Sequence, residues 1–338
     1  MPEGASAMPA YAIGIDFGGT KLLASVVDIE KGTVVTESKK RTRSSDGPDE
    51  LIARISDAID GALKGVKFGN GKKTKLQGIG IGIAGQVDAE NGMLLGAPNL
   101  SQATVNLPMA KLLNDRYDVP VRLRNDVQIA AIGESKFGAG KNCDDFLCVF
   151  VGTGVGGAIV RSGSLVTGAS GTAGEIGHLV IDANGRLCGC GGRGHLEAYA
   201  SRTAMTKAIL GDLHRGRPSL LAGLIGGTSE DEPGGLAIRS GVLAKAVEEQ
   251  DELAIEAIMQ AGSYLGLGLA SAINLLNPKR VILGGGVIEA VDLLFSVAEH
   301  HARREALPTP GSDVEIVRAA LGDNAGVIGA ALIGAGVV

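Results

Sequence analysis

Residues 16–21 read Asp-Phe-Gly-Gly-Thr-Lys and supply much of what a phosphate group asks of a protein. The paired glycines Gly18 and Gly19 let backbone N–H groups approach phosphate oxygens, Thr20 adds a hydroxyl donor, Lys21 closes the motif, and Asp16 can hold a hydrated Mg²⁺. Taken alone, a plain hairpin turn accounts for the glycines equally well. The run Gly152-Thr153-Gly154-Val155-Gly156-Gly157 echoes the motif later in the chain, and two donor-rich turns are harder to explain as hairpins only. A third run, Gly284-Gly285-Gly286 after Val281-Ile282-Leu283, either lets an adenine or ribose lie against bare backbone or is an ordinary strand-to-helix turn. The P-loop spacing Gly-x-x-x-x-Gly-Lys-[Ser/Thr] does not occur, and no Gly-x-Gly-x-x-Gly joins a strand to a helix in a βαβ unit, so a dinucleotide fold is disfavoured.

Asn125-Asp126 stands where a strand-like run meets a helix-like one. Asn and Asp are favoured helix N-caps, which explains the pair without a ligand. An Asp at such a strand end also suits taking the proton of a hydroxyl whose own pKa lies far above 7, as phosphoryl transfer to an alcohol requires. Both readings can hold for neighbouring residues. A further cluster holds His178, Cys188, Cys190 and His195. Two thiolates and two imidazoles complete a closed tetrahedral site of the structural Zn²⁺ kind, and the glycines among them let a short loop fold around the ion. Cys143 and Cys148 lie outside this loop and read as plain thiols. Glu175 and Glu197 bracket it; carboxylates fixed beside a metal are good acceptors for hydroxyl groups, with surface solvation as the alternative.

The elements that must position these groups are legible from periodicity. Ala12 to Asp28 is an apolar β-rich run, a Gly-Gly turn and a second β-branched run, which is a hairpin. A strand follows at Val34–Ser38, and Leu51, Ile52, Ile55, Ala58, Ile59 and Leu63 predict a helix over 49–63. Gln77–Ala84 reads as a buried strand. Helical patterns at Met109–Tyr117 and Val127–Gly138 flank a strand at Val121–Arg124, and two β runs around the second glycine turn then restate the first hairpin. A helix over 251–276, the strand-turn signal at 280–287 and a helical end at 325–336 complete the pattern. It predicts an α/β protein of two related halves with a cleft between them. Residues 1–120 with a C-terminal helix at 322–338 form the smaller domain, and residues 121–321 the larger one with the metal loop.

Composition narrows the function classes. A chain of 338 residues accommodates two domains, and 45% hydrophobic with 20% charged residues excludes a disordered chain. The net charge of −5, without a Lys/Arg block, argues against nucleic acid as a partner. No Lys or Arg occurs in the first twenty residues, so no signal peptide is expected, and the least polar stretch, Ala325–Val338, is too Gly-rich and short to span a membrane. Four cysteines in a chain of this size suit a reducing compartment, and a cytoplasmic location is the expectation.

Together these residues resemble the ROK family of bacterial sugar kinases, which has the actin-like (ribonuclease H-like) ATPase fold, from Ile13 to about Leu332. The likeness is carried by the Asp16–Lys21 turn, Pro98-Asn99, Asn125-Asp126, the Gly152–Gly157 turn, the Glu-x-x-His step from Glu175 to His178, the Cys-x-Cys-Gly-x-x-Gly loop and the terminal Gly322–Ala331, all in family order. The resemblance implies that Asp126 is the general base on the 6-hydroxyl of a hexose. It makes Asn99, Asn125, Glu175, His178 and Glu197 hydroxyl-binding residues and puts Asp16 near Mg²⁺. The turns with Gly18, Gly19, Thr20, Lys21 and with Gly152, Thr153, Gly154 would hold the β- and γ-phosphates of ATP, and Gly284, Gly285 and Gly286 would line the adenosine pocket. One position departs from the family pattern: His195 stands where a third cysteine is usual, an exchange that zinc tolerates. The family name also covers repressors with an added helix-turn-helix, for which the roughly eleven residues before the first strand are too few. The expectation is an ATP-dependent hexokinase acting on a small-molecule hexose, glucose first, without nucleic acid or membrane, and a homodimer by family habit. An N-acetylglucosamine or N-acetylmannosamine kinase, a non-catalytic sugar-responsive binding protein, and polyphosphate as donor are the alternatives.

Overall fold

The structure, a computed structural model, describes residues 10–18, 21–43, 45–66, 76–97, 100–224 and 238–338. Contacts divide the chain into one unit made of Met1–Lys141 with Asn324–Val338 and a second made of Asn142–Asp323.

The first unit is built on a mixed five-stranded sheet. β1 (Tyr11–Phe17) and β2 (Lys21–Asp28) form the expected antiparallel hairpin, with Tyr11 opposite Asp28 and Phe17 opposite Leu22. β3 (Thr33–Arg41) pairs with β2 and has one face in solvent. β4 (Ile79–Ile83) is buried along its whole length because strands flank it on both sides. β5 (Gln86–Asp88) and β6 (Met93–Gly96) make a separate small hairpin, and β7 (Val121–Asn125) lies parallel to β4, giving the order β3-β2-β1-β4-β7. α1 (Pro48–Lys64) starts on Pro48, Asp49 and Glu50, residues suited to the positive helix end, and buries Leu51, Ile55, Ala58 and Ile59. α2 (Met109–Tyr117) has the bounds the sequence predicts, and α3 (Asp126–Phe137) starts directly at the end of β7.

The C-terminal helix, Ala325–Ala335, is apolar all round because it is enclosed: it packs on β1, on β4 and on α3. That enclosure depends on glycine. A Cβ at Gly14 would lie 1.8 Å from the Val327 carbonyl oxygen, one at Gly80 1.7 Å from that of Ala330, and one at Gly329 1.7 Å from that of Ile129. Backbone therefore rests on backbone on two sides of this helix, which explains part of the chain's 53 glycines.

The second unit repeats the sheet. β8 (Phe146–Val151), β9 (Val155–Arg161), β10 (Ser164–Val166), β11 (Arg280–Gly284) and β12 (Glu315–Arg318) are arranged β10-β9-β8-β11-β12, with β8–β9 as the antiparallel hairpin and β8, β11 and β12 parallel. Position by position this is the order of the first sheet, as the two-halves reading anticipates. The helices are α4 (Glu197–Ala200), α5 (Arg202–His214), α6 (Leu221–Leu224), α7 (Ser240–Glu248), α8 (Glu252–Leu276), α9 (Gly286–Ala290), α10 (Asp292–Glu305) and α11 (Pro308–Asp313). α8 begins where Asp251 Oδ1 accepts the Ala254 N–H at 2.9 Å, and it ends on Asn277 in the left-handed region at φ 45°. Among the described residues α8 is the one helix long and apolar enough to cross a membrane, a candidate that the sequence reading did not raise. It packs on α10, and its Leu253, Leu265, Leu269 and Ile273 belong to the core of this unit.

The division of the chain falls at Lys141–Asn142 rather than after residue 120. β7 looks like the start of a new half in sequence, yet it completes the first sheet beside β4, and α3 follows it there to pack on the C-terminal helix.

Candidate functional site

In the first unit the candidate residues gather at the carboxyl ends of parallel strands, where open α/β sheets place their ligands. Asp16 sits near the end of β1, beside Gly82 of β4, and Asn125 ends β7 beside Ile83. Strand spacing puts β1 and β7 about 10 Å apart. A Cβ on Gly326 would lie 2.8 Å from Asp16 Oδ2, so the carboxylate points at the first turn of the C-terminal helix. The free N–H groups of such a turn favour a negative charge. The first glycine turn closes by a bond from the Gly18 N–H to the Lys21 carbonyl at 2.9 Å, and Thr42 Oγ1 donates to the Gly18 carbonyl, also at 2.9 Å. Gly19, Thr20, Pro98 and Asn99 lie outside the described residues.

Of the two readings that the sequence left open for Asn125 and Asp126, helix capping falls to Asn125. Asn125 is the N-cap of α3: its Oδ1 accepts from the N–H groups of Val127 and Gln128 at 2.9 and 3.3 Å, and its Nδ2 donates to the Gly85 carbonyl at 3.4 Å. Asp126 is the first helical residue, with Oδ1 3.0 Å from the Val127 N–H. Capping thus falls to the asparagine and does not depend on the aspartate.

The second unit holds the second glycine turn, the third glycine run and the candidate metal ligands. Gly152 donates to the Gly154 carbonyl at 3.0 Å, closing the turn between β8 and β9. Gly284 pairs with Phe150 across adjacent parallel strands, which places Gly284, Gly285 and Gly286 next to that turn. Gly285 has φ 92°, and a Cβ there would meet the Val151 carbonyl oxygen at 2.6 Å, so this position requires glycine. Segment 174–178 lies directly on β9: a Cβ at Gly177 would be 2.0 Å from the Val155 carbonyl oxygen. Glu175 and His178 are thereby held beside the turn. Burial raises the pKa of the Glu175 carboxyl, the charge of Glu197 adds to the rise, and His178 opposes it.

The metal loop is shaped by two isolated strand-like bridges, Val180 with His195 and Leu187 with Arg193. Between them Gly191 (φ 91°) and Gly194 (φ 71°) turn the chain, and the Cys188 N–H donates to the Gly192 carbonyl at 2.8 Å. The candidate ligand atoms of His178, Cys188, Cys190 and His195 all lie within 4.8 Å of one another. His178 Nδ1 is 3.3 Å from His195 Nδ1, which is 3.2 Å from Cys190 Sγ, and Cys188 Sγ is 4.0 Å from His178 Nδ1. Tetrahedral Zn²⁺ at its usual bond lengths needs about 3.3 Å between two nitrogens and about 3.6 Å between nitrogen and sulfur. The donor set therefore fits zinc in both chemistry and spacing. Without a cation, burial pushes the Cys188 thiol up to about 11, a penalty that metal coordination reverses.

Glu197, the first residue of α4, stands between loop and turn. Its Oε2 accepts the Val155 N–H at 3.0 Å, and its Oε1 lies 3.7 Å from Cys188 Sγ. Arg202 and Thr203, which the sequence reading passed over, also hold the turn: the Arg202 N–H donates to the Gly152 carbonyl at 2.9 Å and Thr203 Oγ1 to the Thr153 carbonyl at 2.8 Å. Nothing in their local sequence signals this, because each bond spans about fifty positions of chain.

The model of the ROK family matches residues 12–336. A glucokinase of Halalkalibacterium halodurans is 34% identical over 320 residues, spanning 94% of this chain and 93% of that protein. The crystal structure of a ROK family glucokinase from Streptomyces griseus in complex with glucose and AMPPNP superposes with a TM-score of 0.81 at 31% identity, covering 96% of this chain and 99% of that one. A xylose repressor of Bacillus subtilis is 29% identical over 94% of this chain and 75% of its own length.

Proposed function

The chain belongs to the ROK family, and we propose that it is an ATP-dependent hexokinase that phosphorylates the 6-hydroxyl of glucose. One observation carries this reading: two sheets of the same topology each present a glycine turn at equivalent strand ends, and the first also presents Asp126 there. The H. halodurans and S. griseus glucokinases, similar along nearly their whole lengths, support glucose and ATP as the substrates.

In the mechanism Asp126 takes the proton of the sugar 6-hydroxyl as that oxygen bonds to the γ-phosphorus, the bond from phosphorus to the β–γ bridging oxygen breaks, and ADP leaves. Its place at the start of α3, directly after Asn125, the N-cap, sets its carboxylate at the carboxyl end of β7. Asn99, Asn125, Glu175, His178 and Glu197 are assigned to the sugar hydroxyls. Glu175, raised in pKa by burial, is suited to a short hydrogen bond with a hydroxyl. The turns with Gly18, Gly19, Thr20 and Lys21 and with Gly152, Thr153 and Gly154 receive the phosphates, and Gly284–Gly286 receive the adenosine. Asp16 offers one carboxylate, which suits Mg²⁺ held mainly by water and phosphate oxygens, and Mg²⁺ supplies neutralisation of phosphate charge. His178, Cys188, Cys190 and His195 would hold a structural Zn²⁺ that fixes the loop carrying Glu197. Four cysteines with no disulfide among them agree with work in the cytoplasm, and the homodimer is supported by family habit.

A panel of sugars with Mg-ATP tests the substrate. kcat/KM from coupled ADP release is expected to favour glucose over N-acetylglucosamine, N-acetylmannosamine, mannose and fructose by about tenfold or more. An N-acetylhexosamine in first place would overturn glucose and keep the kinase. The repressor likeness favours a second reading, a sugar-responsive protein without catalysis, which would bind glucose and release no ADP.

A further inference from the structure

A carboxylate is an unexpected neighbour for a turn that is to receive phosphate. Glu197 Oε2 accepts the Val155 N–H at 3.0 Å and fills the space where Gly154 would carry a Cβ, 2.4 Å away. Its charge has the wrong sign for a phosphate contact, and its bond withdraws the Val155 N–H from the donors open to a ligand. What this carboxylate does for the turn is fix its shape. The stretch that follows continues the work. Arg202 holds the Gly152 carbonyl through its backbone at 2.9 Å and Thr153 Oγ1 through Nη2 at 3.0 Å, and Thr203 Oγ1 holds the Thr153 carbonyl at 2.8 Å. Ser201, buried between them, caps α5 by accepting the Ala204 N–H at 3.1 Å, so the stretch is itself firmly set. Its other end runs straight into the metal loop: His195 precedes Glu197 by two residues, and Glu197 Oε1 lies 3.7 Å from Cys188 Sγ.

We propose that Glu197 is a positioning residue for the phosphate turn, besides the sugar contact assigned to it above, and that it passes the state of the metal loop to nucleotide binding. Core burial of Leu196 and Ala200 keeps α4 in place, but a loop that loses its ion no longer fixes the Glu197 side chain beside Cys188, so the bond to the Val155 N–H weakens and the turn relaxes from the shape that suits phosphate. The inference rests on the kinase reading and adds to it a coupling between metal and nucleotide within one unit.

The experiment is calorimetric titration of the metal-loaded protein with Mg-AMPPNP in the absence of sugar, and separately with glucose. Gln at position 197 keeps a carbonyl acceptor for the Val155 N–H, whereas Ala keeps none. Glu197→Ala is therefore expected to weaken Mg-AMPPNP about tenfold and Glu197→Gln by less than about threefold, while both weaken glucose. Thr203→Val removes one bond to the turn without touching the assigned sugar residues, and is expected to weaken Mg-AMPPNP about threefold with glucose unchanged. Removing the metal from the wild type should shift Mg-AMPPNP in the same direction as Glu197→Ala. If Glu197→Ala and metal-free wild type bind Mg-AMPPNP as tightly as the loaded wild type, the positioning role is overturned while the kinase reading stands. If Glu197→Ala does not fold, unchanged Mg-AMPPNP binding in Thr203→Val and in metal-free wild type overturns it equally. If the wild type binds no Mg-AMPPNP at all, the kinase reading fails and the coupling fails with it.

Discussion

Asp126→Asn is expected to lower kcat about a thousandfold while glucose and nucleotide affinities stay within about threefold of the wild type. The substitution keeps the size and shape of the side chain and removes its ability to take a proton. The start of α3 survives it, because the cap that satisfies the N–H groups of Val127 and Gln128 is Asn125 Oδ1. An aspartate that served only the helix end would behave differently: its loss would cost about 1 kcal/mol of stability or less and leave turnover intact. Steady-state kinetics with calorimetric affinities separates the two. Near-full turnover in Asp126→Asn would mean that another group accepts the hydroxyl proton.

Loss of the metal is expected to have the second large effect. Elemental analysis should find about one Zn²⁺ per chain, and Cys188→Ser should abolish retention of the ion. Backbone bonds and the Tyr199 hydroxyl hold the base of the loop, while at its tip two histidines, one buried and one exposed thiol converge on one point. Removing the ion from such a set should destabilise the second unit by about 4 kcal/mol or more, a fall of about 10 °C in Tm. His195→Cys, which restores the third cysteine usual in the family, should retain the metal at least as well as the wild type. Protein prepared free of metal with an unchanged Tm would contradict the assignment.

Much of the architecture is written in local pattern. The hairpin across residues 12–28 shows as two β-branched runs around Gly18-Gly19, α2 shows in its full bounds, and α8 shows as a long apolar helical repeat that the structure buries on one side. Elements without such a pattern escape. β12 is four residues long with Glu315 exposed, and β5–β6 is a small hairpin whose register shifts at Gln86–Val87. The unit boundary escapes for a similar reason, since whether β7 closes one sheet or opens the next is decided by its pairing with β4, which local pattern does not contain. The site divides in the same way. Residue types and spacing single out His178, Cys188, Cys190 and His195 as a candidate metal set, and the fold brings their ligand atoms within 4.8 Å of one another. The double bond of Asn125 to the start of α3 is foreseeable as an N-cap, though not which of the two neighbours would take it. The use of Glu197 on Val155, and of Thr203 on Thr153, is a matter of tertiary contact across about fifty positions and leaves no local trace.

The central claim is transfer of a phosphoryl group from ATP to the sugar 6-oxygen. It is tested most directly by incubating the purified protein with Mg-ATP and glucose, following the product by phosphorus NMR, and repeating the reaction with 6-deoxyglucose. The account predicts glucose 6-phosphate and ADP in equal amounts with glucose, and neither with the 6-deoxy sugar. ADP formed equally with both sugars, or a phosphate ester at another carbon, would contradict it.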